Sequence, residues 1–253
     1  MLSPGYRIIK NKYMQKKEIH EGHLKRYEFA ANFCEGQRVL DVACGFGTGS
    51  NLLAQKGLHV DGVDLDKEEL AHARNFYKRD NLEFHEMDAT SMSFPEDHFD
   101  LVVSFETLEH LSSEAQRKFL KEIKRVLRPS GKIILSTPDH YVWQRMALSW
   151  DQHIKELTKQ ELLDLMGEYF EVGDVYAQAI LKTESFPRRL VRFILNTIKR
   201  IDYFGLRYKL MPVNFRKGLD NATTPVSGQD WDLHPASGSL TGAHIIVLAI
   251  NKK

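Results

Sequence analysis

The sequence predicts an α/β fold built on a doubly wound, mainly parallel sheet. Between residues 38 and 137, five short apolar runs alternate with helix-like segments over short connections. The first run, Val39 to Ala43, feeds a turn with glycine at alternate positions, Gly45, Gly47 and Gly49, and Ser50 to Lys56 continues as helix. Carboxylates stand at or just past the ends of the runs, at Asp41, Asp64, Asp88, Glu106 and Asp139. Ligands of such sheets bind beyond the carboxyl ends of the strands, near the switch point. Acidic residues seldom gather there without partners.

The bulk properties bound the rest. A chain of 253 residues can hold one large α/β domain, or one with an insertion. A hydrophobic share of 42% allows a substantial core, and a net charge of +1 carries no overall signature of a nucleic-acid or acidic partner. The two cysteines, Cys34 and Cys44, make neither a disulfide framework nor zinc spacing. No run has the length of a membrane span, and the amino terminus lacks the apolar centre of a signal peptide. A cytoplasmic enzyme is expected.

In chain order, a single domain is expected: a helical cap over 1–36, a binding core over 37–181, an insertion over 182–243 and a final strand over 244–251. Residues 13 to 33 place Ile19, Leu24, Tyr27 and Ala31 at helical spacing, with His20 and His23 solvated or capping, or else lining a site that this segment closes. The second strand is His59–Asp64, and Asp66 caps a helix over 67–78 with Glu68 and Glu69 in its first turn. Leu82–Glu86 and Phe99–Ser104 make strands three and four. A helix starts near Ser113, where Ser113 and Gln116 have capping-box spacing, and Pro129-Ser-Gly131 ends it. Strand five is Lys132–Thr137, stopped by Pro138. Thr158 and Glu161 form a capping box for a helix over 159–168, Tyr169–Ala177 reads as strand six, and His244–Asn251 is the last strand. Inside the insertion, residues 186–217 carry nine arginines and lysines against Asp202 alone.

The ligand follows from spacing and charge. Gly45-x-Gly47-x-Gly49 departs from the dinucleotide pattern, and Asp41 stands four residues before the first glycine, where it would repel a pyrophosphate. Asp64 is placed to accept two ribose hydroxyls, and Asp88 to take an adenine amino group. Together they describe a nucleoside without phosphates that carries a positive end.

On five stretches the chain resembles the class I S-adenosylmethionine-dependent methyltransferases, over residues 37 to about 137. They are Val39-Leu-Asp-Val-Ala-Cys-Gly-Phe-Gly-Thr-Gly49, Gly62-Val-Asp64, Glu86-Met-Asp88-Ala89, the block from Phe99 to His110, and Lys124-Arg-Val-Leu-Arg-Pro-Ser-Gly131. The resemblance implies a Rossmann-like sheet of seven strands, the last antiparallel, here with a basic helical insertion before it. It implies S-adenosylmethionine as cofactor, held at Asp41, Gly45, Asp64, Asp88 and Phe105, with Ala43, Gly47, Leu65 and Ala89 beside them. Phe46 between the glycines and Ser130 depart from the family pattern.

A sulfonium is already an activated methyl donor, so the protein has mainly to align an acceptor. A hydroxyl acceptor also needs a base, and histidine has a suitable pKa. His110 and His153 are the candidates, with Glu106 holding cofactor or acceptor, and Tyr141, Trp143 and Trp150 as walls. The histidines are scattered along the chain and no metal is expected. The His-x-x-Glu-x-Thr block over 153–158 resembles enzymes of surface glycans and prenylated quinones. The expected acceptor is a small molecule, saccharide or lipid-linked compound and no nucleic acid, with 186–217 able to meet an anionic membrane or a phosphate. The alternatives are a quinone-type aromatic O-methyltransferase, an NAD-dependent oxidoreductase and a non-catalytic cofactor-binding partner protein.

Overall fold

The computed structural model describes residues 17–145, 153–180, 232–236 and 242–253. Its strands are β1 (Arg38–Val42), β2 (His59–Asp64), β3 (Leu82–Glu86), β4 (Phe99–Phe105), β5 (Leu127–Pro138), β6 (Phe170–Ile180), β7 (His234–Pro235) and β8 (Gly242–Asn251). The helices are α1 (Lys17–Ala30), α2 (Thr48–Leu53), α3 (Lys67–Phe76), α4 (Ser113–Val126), α5 (His140–Arg145) and α6 (Lys159–Gly167). The sheet runs β3-β2-β1-β4-β5-β8-β6-β7. Strands β1 to β5 pair in parallel, and β8 enters antiparallel between β5 and β6.

The sheet thus has eight strands where seven were expected, still with an antiparallel last strand. The extra one is β7, which pairs with Tyr176 and Ala177 of β6 from inside the stretch read as insertion. Two residues are too few to show a strand period. The basic segment 186–217 lies outside the described residues, as do Trp150 and the side chain of Trp143. Among the described residues no helix is long and apolar enough to cross a membrane.

Alternation sorts each strand between two cores. Leu40, Val42 and Val102 face a layer with Phe119, Ile123 and Leu162 from α4 and α6. Val39, Leu101 and Val103 face Tyr27, Ala30, Leu53 and Leu70 from α1, α2 and α3. Burying both faces is what a parallel sheet requires.

Two local signals resolve differently from the expectation. Helix α4 is capped by Ser112, whose side chain accepts the Ala115 N–H, so Ser113 and Gln116 form no capping box. Gln116 is instead buried and donates to the carbonyls of Leu108 and Lys155. Strand β5 begins at Leu127, because the chain pairs Phe99 with Leu127, slips, and resumes at Leu101 with Lys132. Ser130 sits in that slip at φ 61°. Asp66 caps α3 through the N–H groups of Glu68 and Glu69, and Thr158 closes a reciprocal capping box with Glu161 on α6.

Candidate active site

The switch point falls between β1 and β4, and the turn after β1 is shaped by what packs on it. Gly47 has φ 75°, and a Cβ there would lie 2.6 Å from the Phe84 ring and 2.8 Å from Ala73. At Gly49 a Cβ would lie 2.0 Å from the Tyr27 ring, so glycine is what lets α1 settle over the start of α2. Phe46 turns away to meet His72 of α3 edge-on.

Beneath this turn Asp41 is fully buried. Tyr27 donates to one carboxylate oxygen at 3.0 Å and Ser50 to the other at 2.6 Å. Burial pushes its pKa up to about 7, although both hydroxyls pull the other way. Asp41 is therefore a covered carboxyl under the crevice, held by Tyr27 and Ser50. Tyr27 also packs edge-on against Phe105, with ring centroids 4.9 Å apart, and His23 of α1 closes on the same ring. Phe105 is buried by these contacts.

Asp64 ends β2 at the crevice. One oxygen accepts the Gly45 N–H at 2.8 Å and the other the Asp66 N–H at 2.9 Å. Each oxygen keeps a second lone pair for a hydroxyl. Leu65 beside it is 65% exposed, an apolar cover available to a flat ring. Asp88 is exposed and accepts from the backbone and side chain of Thr90, which holds its carboxyl below the usual range. Ala89 packs on the core next to it. Glu69 lies against Gly45, and burial, then Asp64 and Asp66, raise it to about 7. A buried carboxylate, a strand-end carboxylate with spare lone pairs and an exposed carboxylate fit a cationic, hydroxyl-bearing nucleoside. They suit a polyphosphate poorly.

The other half of the crevice lies at the ends of β4 and β5. Two non-glycine residues there take left-handed backbone, Ala43 after β1 at φ 60° and Glu106 after β4 at φ 55°. Strain of this kind collects at functional sites. Glu106 accepts from Ser136 at 2.7 Å, and faces His244 Nδ1 at 2.9 Å and Arg26 Nη2 at 3.7 Å. Burial alone would raise its carboxyl, but His244 and Arg26 overcome that and hold it well below the usual range. Arg26 also donates to Gln178, whose amide donates to the Gly22 carbonyl, so α1 is tied to β6. Glu106 thus closes a buried ion network and does not point to a general base.

His110 and His153, far apart in sequence, are brought together. The Glu109 carbonyl accepts the N–H groups of Ile154 and Lys155, and Gln116 ties Leu108 to Lys155. The imidazole centroids end 5.1 Å apart. His153 Nδ1 meets Glu156 at 2.6 Å, and the other Glu156 oxygen meets His140 at 3.2 Å. Ligand atoms of Glu109, His110 and His153 lie within 4.8 Å of one another, so these histidines are grouped and not scattered. Glu109 accepts from Thr137, and burial, then the charge of Glu106, push its carboxyl well above the usual range. Tyr141 is 64% exposed on α5.

Arg26, Tyr27, Ser50, Glu69, His140, Glu156 and His244 are not read as site residues from the sequence. Ser50, inside the glycine stretch, and Glu156, inside the His-x-x-Glu-x-Thr block, carry a local signal that could have found them.

Comparison with known proteins agrees with this geometry. Residues 40–135 match a family described as "Methyltransferase domain". A Mycolicibacterium smegmatis protein named "Probable S-adenosylmethionine-dependent methyltransferase" is 35% identical over 151 residues, 58% of this chain and 57% of that protein. Tocopherol O-methyltransferase of Arabidopsis thaliana is 31% identical over 172 residues, 66% of this chain and 46% of that one. The chain thus spans about half the length of the curated relatives it matches. The crystal structure of the PH0226 protein from Pyrococcus horikoshii has the same fold, with TM-score 0.60 and 24% identity over 70% of this chain and 94% of that one. Residues 40–135 thus match a methyltransferase domain, and over that stretch the chain is similar to S-adenosylmethionine-dependent methyltransferases.

Proposed function

We propose that the chain transfers a methyl group to an oxygen, or to a nitrogen, of a small molecule, most plainly a saccharide or lipid-linked hydroxyl. The observation that carries this reading is the Glu156–His153 pair beside His110. When bound, the cofactor supplies an electrophilic methyl on sulfur. Asp64 and Asp88 hold the nucleoside, and buried Asp41 favours the positive end through its field. Glu156, accepting from His153 Nδ1, fixes the tautomer in which Nε2 takes the acceptor's proton. Burial and the charge of Glu106 raise the Glu109 carboxyl, the direction that lessens negative charge beside the acceptor oxygen. Glu106 is a positioning residue in this scheme, keeping the β4 exit in its strained form.

A quinone-type aromatic hydroxyl is the second reading. It is supported by the likeness to tocopherol O-methyltransferase and to ubiquinone biosynthesis O-methyltransferase of Aeromonas salmonicida, 35% identical over 105 residues.

Calorimetric titration with S-adenosylmethionine, beside a transfer screen of glycans, lipid-linked sugars and quinols, tests both. Asp64→Ala should weaken cofactor binding at least tenfold. His153→Ala should keep cofactor binding and lose transfer by roughly 100-fold or more. Unchanged transfer in His153→Ala would remove the base from the proposal, and activity abolished only by chelator would move the chemistry to a cation at Glu109, His110 and His153.

A further inference from the structure

A second group of metal-binding side chains lies away from the crevice ends. On β2 the sequence reads His59-x-Asp61, and on neighbouring β3 it reads Glu83-x-His85. Alternate residues of a strand share a face. The register sets Asp61 opposite Glu83 and Val63 opposite His85, so all four side chains stand on one face of the ribbon. The residues between them, Val60, Leu82 and Phe84, are buried and apolar.

The four groups converge. His85 Nε2 lies 2.7 Å from one Asp61 oxygen and 3.9 Å from Glu83, and His59 Nε2 lies 3.5 Å from the other Asp61 oxygen. Ligand atoms of His59, Asp61 and Glu83 all fall within 4.8 Å of one another. The Asp61 side chain is 6% exposed, the imidazoles 21% and 26%, and Glu83 62%, a deep carboxylate flanked by two rings under a mobile-length outer one.

Pairing Asp61 with imidazole N–H groups would satisfy its oxygens, but it leaves Glu83 unexplained. Two carboxylates directly opposite across neighbouring strands repel, and here one of them is buried. A dication removes that repulsion and takes both imidazoles through Nε2, a usual ligating atom. Two nitrogens and two carboxylate oxygens suit zinc and its neighbours better than magnesium or calcium, which prefer all-oxygen sites. Phe94 meets the His85 ring edge-on at 5.4 Å and fixes its orientation. Arg38, the register partner of His59, adds positive charge on one side, which opposes the binding of a cation.

We propose that His59, Asp61, Glu83 and His85 form a binding site for a divalent transition-metal ion of the zinc class, which clamps edge strand β3 to β2. Chelator-treated protein titrated calorimetrically with zinc chloride should bind at this site with micromolar affinity, and its thermal midpoint should rise. Cobalt(II) should give the visible bands of a four-coordinate nitrogen–oxygen site, and excess magnesium should not displace it. Glu83→Gln, a change at an exposed side chain, should weaken zinc binding at least tenfold without altering the circular dichroism. The double variant His59→Ala/His85→Ala should abolish it, while His153→Ala should leave it unchanged. Absence of zinc binding by the wild-type chain would overturn the proposal. So would binding that survives in both strand variants, or binding lost in His153→Ala, which would put the ion at the crevice instead.

Discussion

The two halves of the crevice are assembled in opposite ways. The half proposed to hold the cofactor takes Asp41, Gly45, Asp64 and Asp88 in chain order from three adjacent strands, and its central contacts join Asp64 to Gly45, 19 residues away, and to Asp66, two away. The half proposed for the acceptor draws Glu106 together with Arg26, Ser136 and His244, and His110 together with His153. Its charges are compensated by residues from both ends of the chain. Changes in the first half should therefore alter binding, and changes in the second should alter stability first.

The sharpest test of that contrast is Glu106→Ala. It leaves Arg26, itself 2% exposed, and His244 without their shared counter-charge. Removing one partner of a buried ion pair costs roughly 3–5 kcal/mol, so urea unfolding should show a loss of that order. Asp64→Ala, at a partly exposed strand end, should cost no more than about 1 kcal/mol, as surface changes do. Equal losses in the two variants would erase the distinction between the halves.

A pH series probes the buried carboxylate of the cofactor half. Asp41 has its pKa raised to about 7 in the folded chain, against about 3.9 when unfolded. Between those values the folded state holds the extra proton, so stability falls as pH rises through that window and levels off above it. Asp41→Asn should flatten this slope in thermal unfolding followed across the window. Glu69, also raised to about 7, adds a slope of the same sign that persists in the variant. A variant with the full wild-type slope would mean that Asp41 is already ionised in the fold.

This contrast also explains what could be read from the residues alone. Strand–helix alternation, the Asp66 cap and the Thr158–Glu161 box are local and were all legible in the residues. So was the placing of Asp64 at a strand end. The grouping of His110 with His153 was not, because it depends on the Glu109 carbonyl and Gln116 binding the segment at 154–155. Gln116 has the spacing of half a cap, but Ser112 caps the helix through its own side chain. The partners of Glu106 are distant from it in sequence, and His244 comes within reach only because β8 inserts between β5 and β6. Strand β7 was hidden because two residues have no period.

The smallest expected effect separates strain that serves the site from strain that only turns the chain. Ala43 at the crevice and Ser130 in the β5 slip hold nearly the same left-handed backbone, φ 60° and 61°. An L-residue there costs roughly 1–2 kcal/mol, and glycine returns part of this through about 0.5–1 kcal/mol of extra unfolded-state entropy. Ala43→Gly and Ser130→Gly should therefore each stabilise the chain by about 0.5 kcal/mol in urea unfolding. Their effects on the cofactor should differ. Ala43 joins Asp41 to the turn that Asp64 holds through the Gly45 N–H, so loosening it should weaken S-adenosylmethionine binding several-fold in calorimetry. Ser130 lies at the opposite end of the sheet, and its variant should bind as the wild type does. If both variants bind alike, the strain at Ala43 is a property of the turn, and the crevice owes its shape to the packing of Tyr27 and Phe84 on the glycines instead.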